Sequence, residues 1–278
     1  MVRSLSVVPE LEHLPSVGRA RLAEPHRRPW VTALLDLVFP PFCPVCQQRL
    51  GEGRRDPLCG DCWEGFARIV PPQCLVCGVP FGGLPSGHVA APGPASNVIP
   101  RRCGSCQRRS PPFHYARAAV RYEDIAREAV HALKFGGRRA LATPLGDLLA
   151  EIAPHELPEG PPHLVIPVPL HRRRERDRGF NQALLLAGRL GVAWGIPVRS
   201  DVLVRTVPTP PQTELSATAR RANVRGAFAL RRPEVVSGRH VVLVDDILTT
   251  GSTVSACARC LRDAGAKTIG VLTVARVI

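Results

Sequence analysis

The chain has 278 residues, 45% of them apolar, which is enough for one or two domains with a real hydrophobic core. No uncharged apolar run approaches the ~20 residues that cross a bilayer. Glu10, Glu12 and His13 interrupt the N-terminal stretch, so a cytoplasmic protein with no secretory signal and no membrane span is expected. The formal charge of +14 comes almost entirely from arginine, Lys134 and Lys267 being the only lysines. A nucleic-acid or phosphorylated partner and a plain coding bias toward Arg both account for that excess, so charge alone assigns no function.

Residues 1–29 hold no sustained period and read as a flexible leader. WVTALLDLVF (30–39) places Val31, Leu34, Leu35 and Val38 at helical spacing until Pro40 and Pro41 stop it. Four CxxC pairs follow. A CxxC turn presents two sulfurs to one metal, and two such turns complete a tetrahedral thiolate site for Zn²⁺. Cys43, Cys46, Cys59 and Cys62 have ribbon-like spacing. Cys74, Cys77, Cys103 and Cys106 form the natural second set, with interleaved pairing left open. His88, in the Gly- and Pro-rich stretch before Cys103, is available as a substitute ligand. In a chain of this kind such pairs favour metal over disulfides, and four protein ligands leave no open position, so the zinc is structural. Arg54, Arg55, Arg101, Arg102, Arg108 and Arg109 surround these fingers, which could present a surface to DNA or to another protein.

A new regime begins at FHYARAAVR (113–121), a strand. Helices are expected over 123–135 and 140–153, a short strand over 163–170, and a helix over FNQALLLAGRLGVAWG. A buried strand over 239–246, a helix over STVSACARCLRDAGA and a last strand over KTIGVLTVARV complete the pattern. Strands alternating with helices make parallel βαβ units, hence an α/β domain. Three segments are expected: 1–29, a helix plus cysteine-rich module over 30–112, and an α/β domain over 113–278. Cys257 and Cys260 form a further CxxC inside a helix, where packing accounts for them better than redox chemistry.

VVLVDDILTTGST (241–253) carries the chemistry. Asp245 and Asp246 end a strand, where open α/β sheets place their ligands. Thr249, Thr250, Gly251, Ser252 and Thr253 offer hydroxyls and backbone N–H groups where a helix begins, a setting that favours an anion. An Asp-rich turn that merely caps a helix is the plainer alternative. VIPVPLHRRRERDRGFNQ (165–182) gathers His171, Arg172, Arg173, Arg174, Arg176 and Arg178 after another strand. Their forks match phosphate oxygens, although a solvated basic loop has the same composition. Residues 209–228 read either as a mobile cover or as a surface connection.

Taken in order, CPVC, LKFGGRRALA, PVPLHRRRERDRGFNQ, QTELSATARRANVRGAF and VVLVDDILTTGST resemble the ComF (ComFC-like) family over residues 31–278. The resemblance implies a double zinc ribbon ahead of a type I phosphoribosyltransferase domain with a parallel sheet. It further implies that Asp245 and Asp246 hold the ribose hydroxyls of phosphoribosyl pyrophosphate (PRPP), and that Thr249 to Thr253 cradle its 5′-phosphate. Mg²⁺ would accompany PRPP, and pyrophosphate would be displaced at C1′ by an unidentified nitrogenous acceptor. Lys134, His171, Arg172 and Arg178 are carried over as PRPP-site residues. Gly179, Asn181 and Gln182 belong to its surroundings, and Gln212, Arg220 and Asn223 to the cover. Some members serve DNA uptake, which makes single-stranded DNA or competence proteins candidate partners, and a PRPP-binding factor without turnover the alternative to an enzyme. The long stretch between Cys77 and Cys103 departs from the shorter fingers of the family.

Overall fold

A computed structural model describes residues 41–50, 56–81, 102–207 and 226–278. The leader, the helix expected at 30–39, His88, Gln212, Arg220 and Asn223 lie outside the described residues. Among the described residues no helix is long and apolar enough to cross a membrane.

The centre is a four-stranded sheet, all parallel, in the order β1-β6-β5-β2. Its strands are Tyr115–Arg121 (β1), Leu164–Pro167 (β2), His240–Leu248 (β5) and Thr268–Arg276 (β6). The two central strands are apolar without alternation because both faces are covered. Successive side chains point to opposite faces. Val242, Val244, Leu272 and Val274 thus join one core with Asp124–Phe135 (α3), Ala142–Ala150 (α4) and Gln182–Trp194 (α6). Val241, Leu243, Ile269 and Val271 join the other, under Ser252–Asp263 (α7). A short antiparallel hairpin, Leu203–Arg205 (β3) and Phe228–Leu230 (β4), packs on that second face.

Helix ends follow their sequence signals. Asn181 caps α6 by accepting from the Ala183 N–H (3.0 Å), and Gly195 closes it in the left-handed region. The basic run after β2 is itself a short helix, Arg172–Arg178 (α5), started by His171 and stopped by Gly179. Arginine is a good helix former, so no apolar stripe was needed to make this turn.

The cysteine module, with the short helices Gly60–Glu64 (α1) and Gly104–Arg108 (α2), precedes β1 and is built into the sheet's margin. Ile69 N–H donates to Ala119 O and Arg121 N–H to Ala67 O, both 2.8 Å, so this segment pairs with β1 on the side away from β6. Ala116 N–H donates to Val76 O at 2.6 Å. Cys43, Leu58 and Phe66 pack into the first core; Cys74, Val76 and Cys106 pack into the second.

Candidate active site and metal centres

A cavity of about 810 Å³ opens beyond the carboxyl ends of β5 and β2. Asp245 and Asp246 occupy its floor. Asp246 is 3% exposed and pairs with Lys134 Nζ, which reaches it from the last turn of α3 at 2.7 Å. Asp245 Oδ1 accepts the Asp246 N–H, and Asp246 Oδ1 accepts the Ile247 N–H, each at 2.9 Å. Burial, then the neighbouring Asp246 carboxylate, pushes the Asp245 carboxyl to about 8, with Lys134 opposing. Asp245 therefore keeps its proton near neutrality.

Thr249, Gly251, Ser252 and Thr253 line the same cavity. Gly251 caps α7 with φ 70°, a left-handed conformation that lets the loop turn sharply into the helix. Thr250 turns aside, its Oγ1 2.8 Å from Ser252 Oγ. Opposite, Arg178 reaches in from α5, held by Gln182 Oε1 (2.5 Å) and lying over the Phe135 ring. Its guanidinium is weakened as an acid-holding cation first by desolvation, then partly restored by Asp246.

The structure divides the expected residues. Lys134, Arg178 and Gln182 line the main cavity with the two aspartates. His171 and Arg172 line a second cavity of about 480 Å³ instead, and His171 Nδ1 accepts the Arg173 N–H as a helix cap (3.2 Å). Arg205, which sequence reasoning did not single out, is 8% exposed, lies over the Phe228 ring, and forms a wall of both cavities. Desolvation, then the nearby Arg174, lowers its basicity. Its signal was there, a charged residue ending the run VLV, but a three-residue strand is too short to stand out.

The cysteines gather as two tetrads, Cys43/Cys46/Cys59/Cys62 and Cys74/Cys77/Cys103/Cys106, with all sulfurs of each within 4.8 Å of one another. This is the sequential pairing, and the second set is complete in sulfur. Backbone N–H groups point at the sulfurs: Cys62 at Cys59 (3.4 Å), Cys77 and Cys103 at Cys74 (3.5 and 3.3 Å). Burial alone would raise Cys74, yet these N–H groups outweigh it and hold the thiol at about 6; Cys43 is likewise held at about 7. Four sulfurs gathered around one point suit structural Zn²⁺. Cys257 is fully buried on α7 and Cys260 donates to Phe228 O, so this CxxC packs.

Residues 34–93 match the family model of the double zinc ribbon domain, and residues 183–277 that of the phosphoribosyl transferase domain. Over 249 residues the chain is 34% identical to the DNA utilization protein YhgH of Salmonella typhi, covering 87% of this chain and all of that one. It is 32% identical over 182 residues to competence protein F of Haemophilus influenzae, with 63% and 79% covered. The chain belongs to the ComF family. Among solved structures, the glutamine PRPP amidotransferase of Bacillus subtilis matches 48% of this ComF chain and 26% of its own, at 24% identity and a TM-score of 0.33. The ribbon match ends at residue 93, short of Cys103 and Cys106, which the ComF fold here nonetheless brings to Cys74 and Cys77.

Proposed function

We propose that the protein is a PRPP-dependent phosphoribosyltransferase that transfers the phosphoribosyl group to a nitrogenous acceptor. The observation that carries this reading is the convergence, in one cavity, of an acidic pair, an anion-ready helix start and arginines from two other elements. Asp245 and Asp246 take the ribose hydroxyls, the 249–253 loop the 5′-phosphate. Arg174, Arg178 and Arg205 face the leaving pyrophosphate and stabilise the charge it gains as the C1′–O bond breaks. Mg²⁺, held through water by the acidic pair, would supply further charge neutralisation on the pyrophosphate. Zinc fills both tetrads as a structural ion.

A second reading, a PRPP-binding factor in DNA uptake without turnover, is favoured by the relatives, a DNA utilization protein and a competence protein. Release of pyrophosphate on adding candidate bases supports the enzyme; binding without release supports the factor.

The test is calorimetric titration of Mg²⁺-PRPP into wild type and into the Asp245→Asn/Asp246→Asn double variant. Wild type should bind and the variant should not. Asp245 adds a sign: its carboxyl is neutral in the free protein up to about pH 8. In the ligand-free state it therefore favours folding at low pH, a contribution lost as pH climbs through the carboxylate range toward 8. A ligand that demands the carboxylate expels this proton. Affinity should rise by up to about tenfold per pH unit between 6 and 8 and level off above, with the binding heat depending on the buffer. A flat pH profile would count against Asp245 as a ligand.

A further inference from the structure

We infer that Arg276 couples the second cysteine tetrad to the phosphate loop, so that metal on one and a phosphoribosyl ligand on the other stabilise each other. This rests on the PRPP reading above. Arg276 is the last residue of β6 and lies between the two sites. Its side chain donates from Nη1 to Cys77 O at 2.6 Å and from Nη2 to Cys77 Sγ at 3.6 Å. Its Nε is buried without a hydrogen-bond partner, so among the described residues Cys77 sets the position of this guanidinium.

The backbone of the same residue faces the cavity side. Arg276 O accepts the Tyr122 N–H at 2.7 Å, and Tyr122 lines the cavity. Arg276 stands in register with Leu248, and the next residue, Val277, donates to Leu248 O at 3.0 Å. Leu248 is 3% exposed and directly precedes Thr249, where the phosphate loop begins. From Cys77 Sγ to the root of that loop the chain of contacts passes through the Arg276 side chain and one backbone hydrogen bond, Val277 N–H to Leu248 O.

Physically, a sulfur bound to zinc stays a thiolate and keeps its turn closed, and a guanidinium on it makes a charge-assisted bond that orients the ligand. Loss of the metal frees Cys77, and Arg276 loses the acceptors that fix the end of β6 and, across the ladder, Leu248. Coupling of this kind is reciprocal: whatever the metal does for the loop, a ligand in the loop does for the metal. Arg276 is thus a positioning residue. The first tetrad supplies an internal control, since among the described residues no hydrogen bond joins its sulfurs to β5 or β6.

The experiment follows iodoacetamide alkylation of each cysteine by peptide mass spectrometry in the zinc-loaded protein, with a chelator present, with and without saturating Mg²⁺-PRPP. In wild type, PRPP should slow alkylation of Cys77 and Cys103 about fivefold, in the range of ordinary site-to-site coupling, and leave Cys46 and Cys59 unchanged. Arg276→Gln should abolish the protection, and Arg276→Lys, which keeps the charge but not the fork, should restore part of it. Equal slowing at both tetrads would mean global stabilisation and overturn the coupling, as would protection that survives in Arg276→Gln. Should Arg276→Gln fail to fold, the comparison of tetrads in wild type still decides. Absence of PRPP binding to wild type by calorimetry would sink the transferase reading itself. Binding with unchanged Cys77 and Cys103 alkylation would sink the coupling alone.

Discussion

In both ribbons the first CxxC turn is closed in the same way, with Gln47 N–H donating to Cys43 O in one and Gly78 N–H to Cys74 O in the other, both at 2.9 Å. Both residues adopt the left-handed region, at φ 62° and 70°. Metal geometry therefore tolerates a side chain at this position. Docking does not: a Cβ on Gly78 would sit 2.4 Å from Ala116 O on β1. The first ribbon is fastened by packing, by the pairing of Ala67 and Ile69 with β1, and by a two-armed ion pair, Arg68 Nε to Glu151 Oε2 at 2.8 Å and Nη2 to Oε1 at 3.0 Å. The second meets β1 through its metal turn itself and the first only through the residues that follow its cysteines, so identical metal sites carry unequal responsibility for the fold.

The largest test of that inequality is removal of a ligand from each. Cys74→Ser should cost on the order of 3–5 kcal/mol and weaken Mg²⁺-PRPP binding, because its tetrad is joined through Cys77 to Arg276 at the end of β6. Cys43→Ser should release one zinc while sparing ligand affinity. Zinc stoichiometry, urea unfolding and calorimetry on the two variants compare them, and equal loss of affinity would erase the distinction.

Next in size is Gly78→Ala, which meets both a left-handed backbone and a carbonyl oxygen. About 2–4 kcal/mol of stability should be lost, against under about 1 for Gln47→Gly. Urea midpoints give the contrast directly.

The smallest effect is expected for Arg68→Ala. The pair is 32% exposed on one side and 41% on the other, so its loss should cost about 0.5–1 kcal/mol without changing zinc content or ligand affinity.

Much of this architecture could be read from the chain. Apolar runs without alternation marked β5 and β6, and the VVLV–Asp245–Asp246 succession located the floor of the cavity before any coordinates. What escaped was non-local. Arg205 lies on a three-residue strand whose partner, Phe228–Leu230, is far along the chain, and no local period reports such a pairing. His171 and Arg172 had the right chemistry for the main cavity, yet the helical start at His171 turns them toward the second one. Lys134 was expected at the site, but its partner Asp246 depends on where α3 ends over the sheet. Arg276 carried no signal at all, since its role comes from Cys77, two hundred residues away in effect and adjacent in space.

The ribbon segment along β1 has a consequence for solubility. An open sheet exposes a row of unpaired N–H and C=O groups at each margin, a template on which other chains can grow. Here Ala67 and Ile69 occupy the β1 margin, while at the other margin Val165 N–H donates to Pro197 O and Arg199 N–H to Val165 O. Both margins are thus blunted without closing the sheet into a barrel. Stripping zinc would unfasten the segment that guards β1, and the metal-free protein should add strands to one another and precipitate from that side.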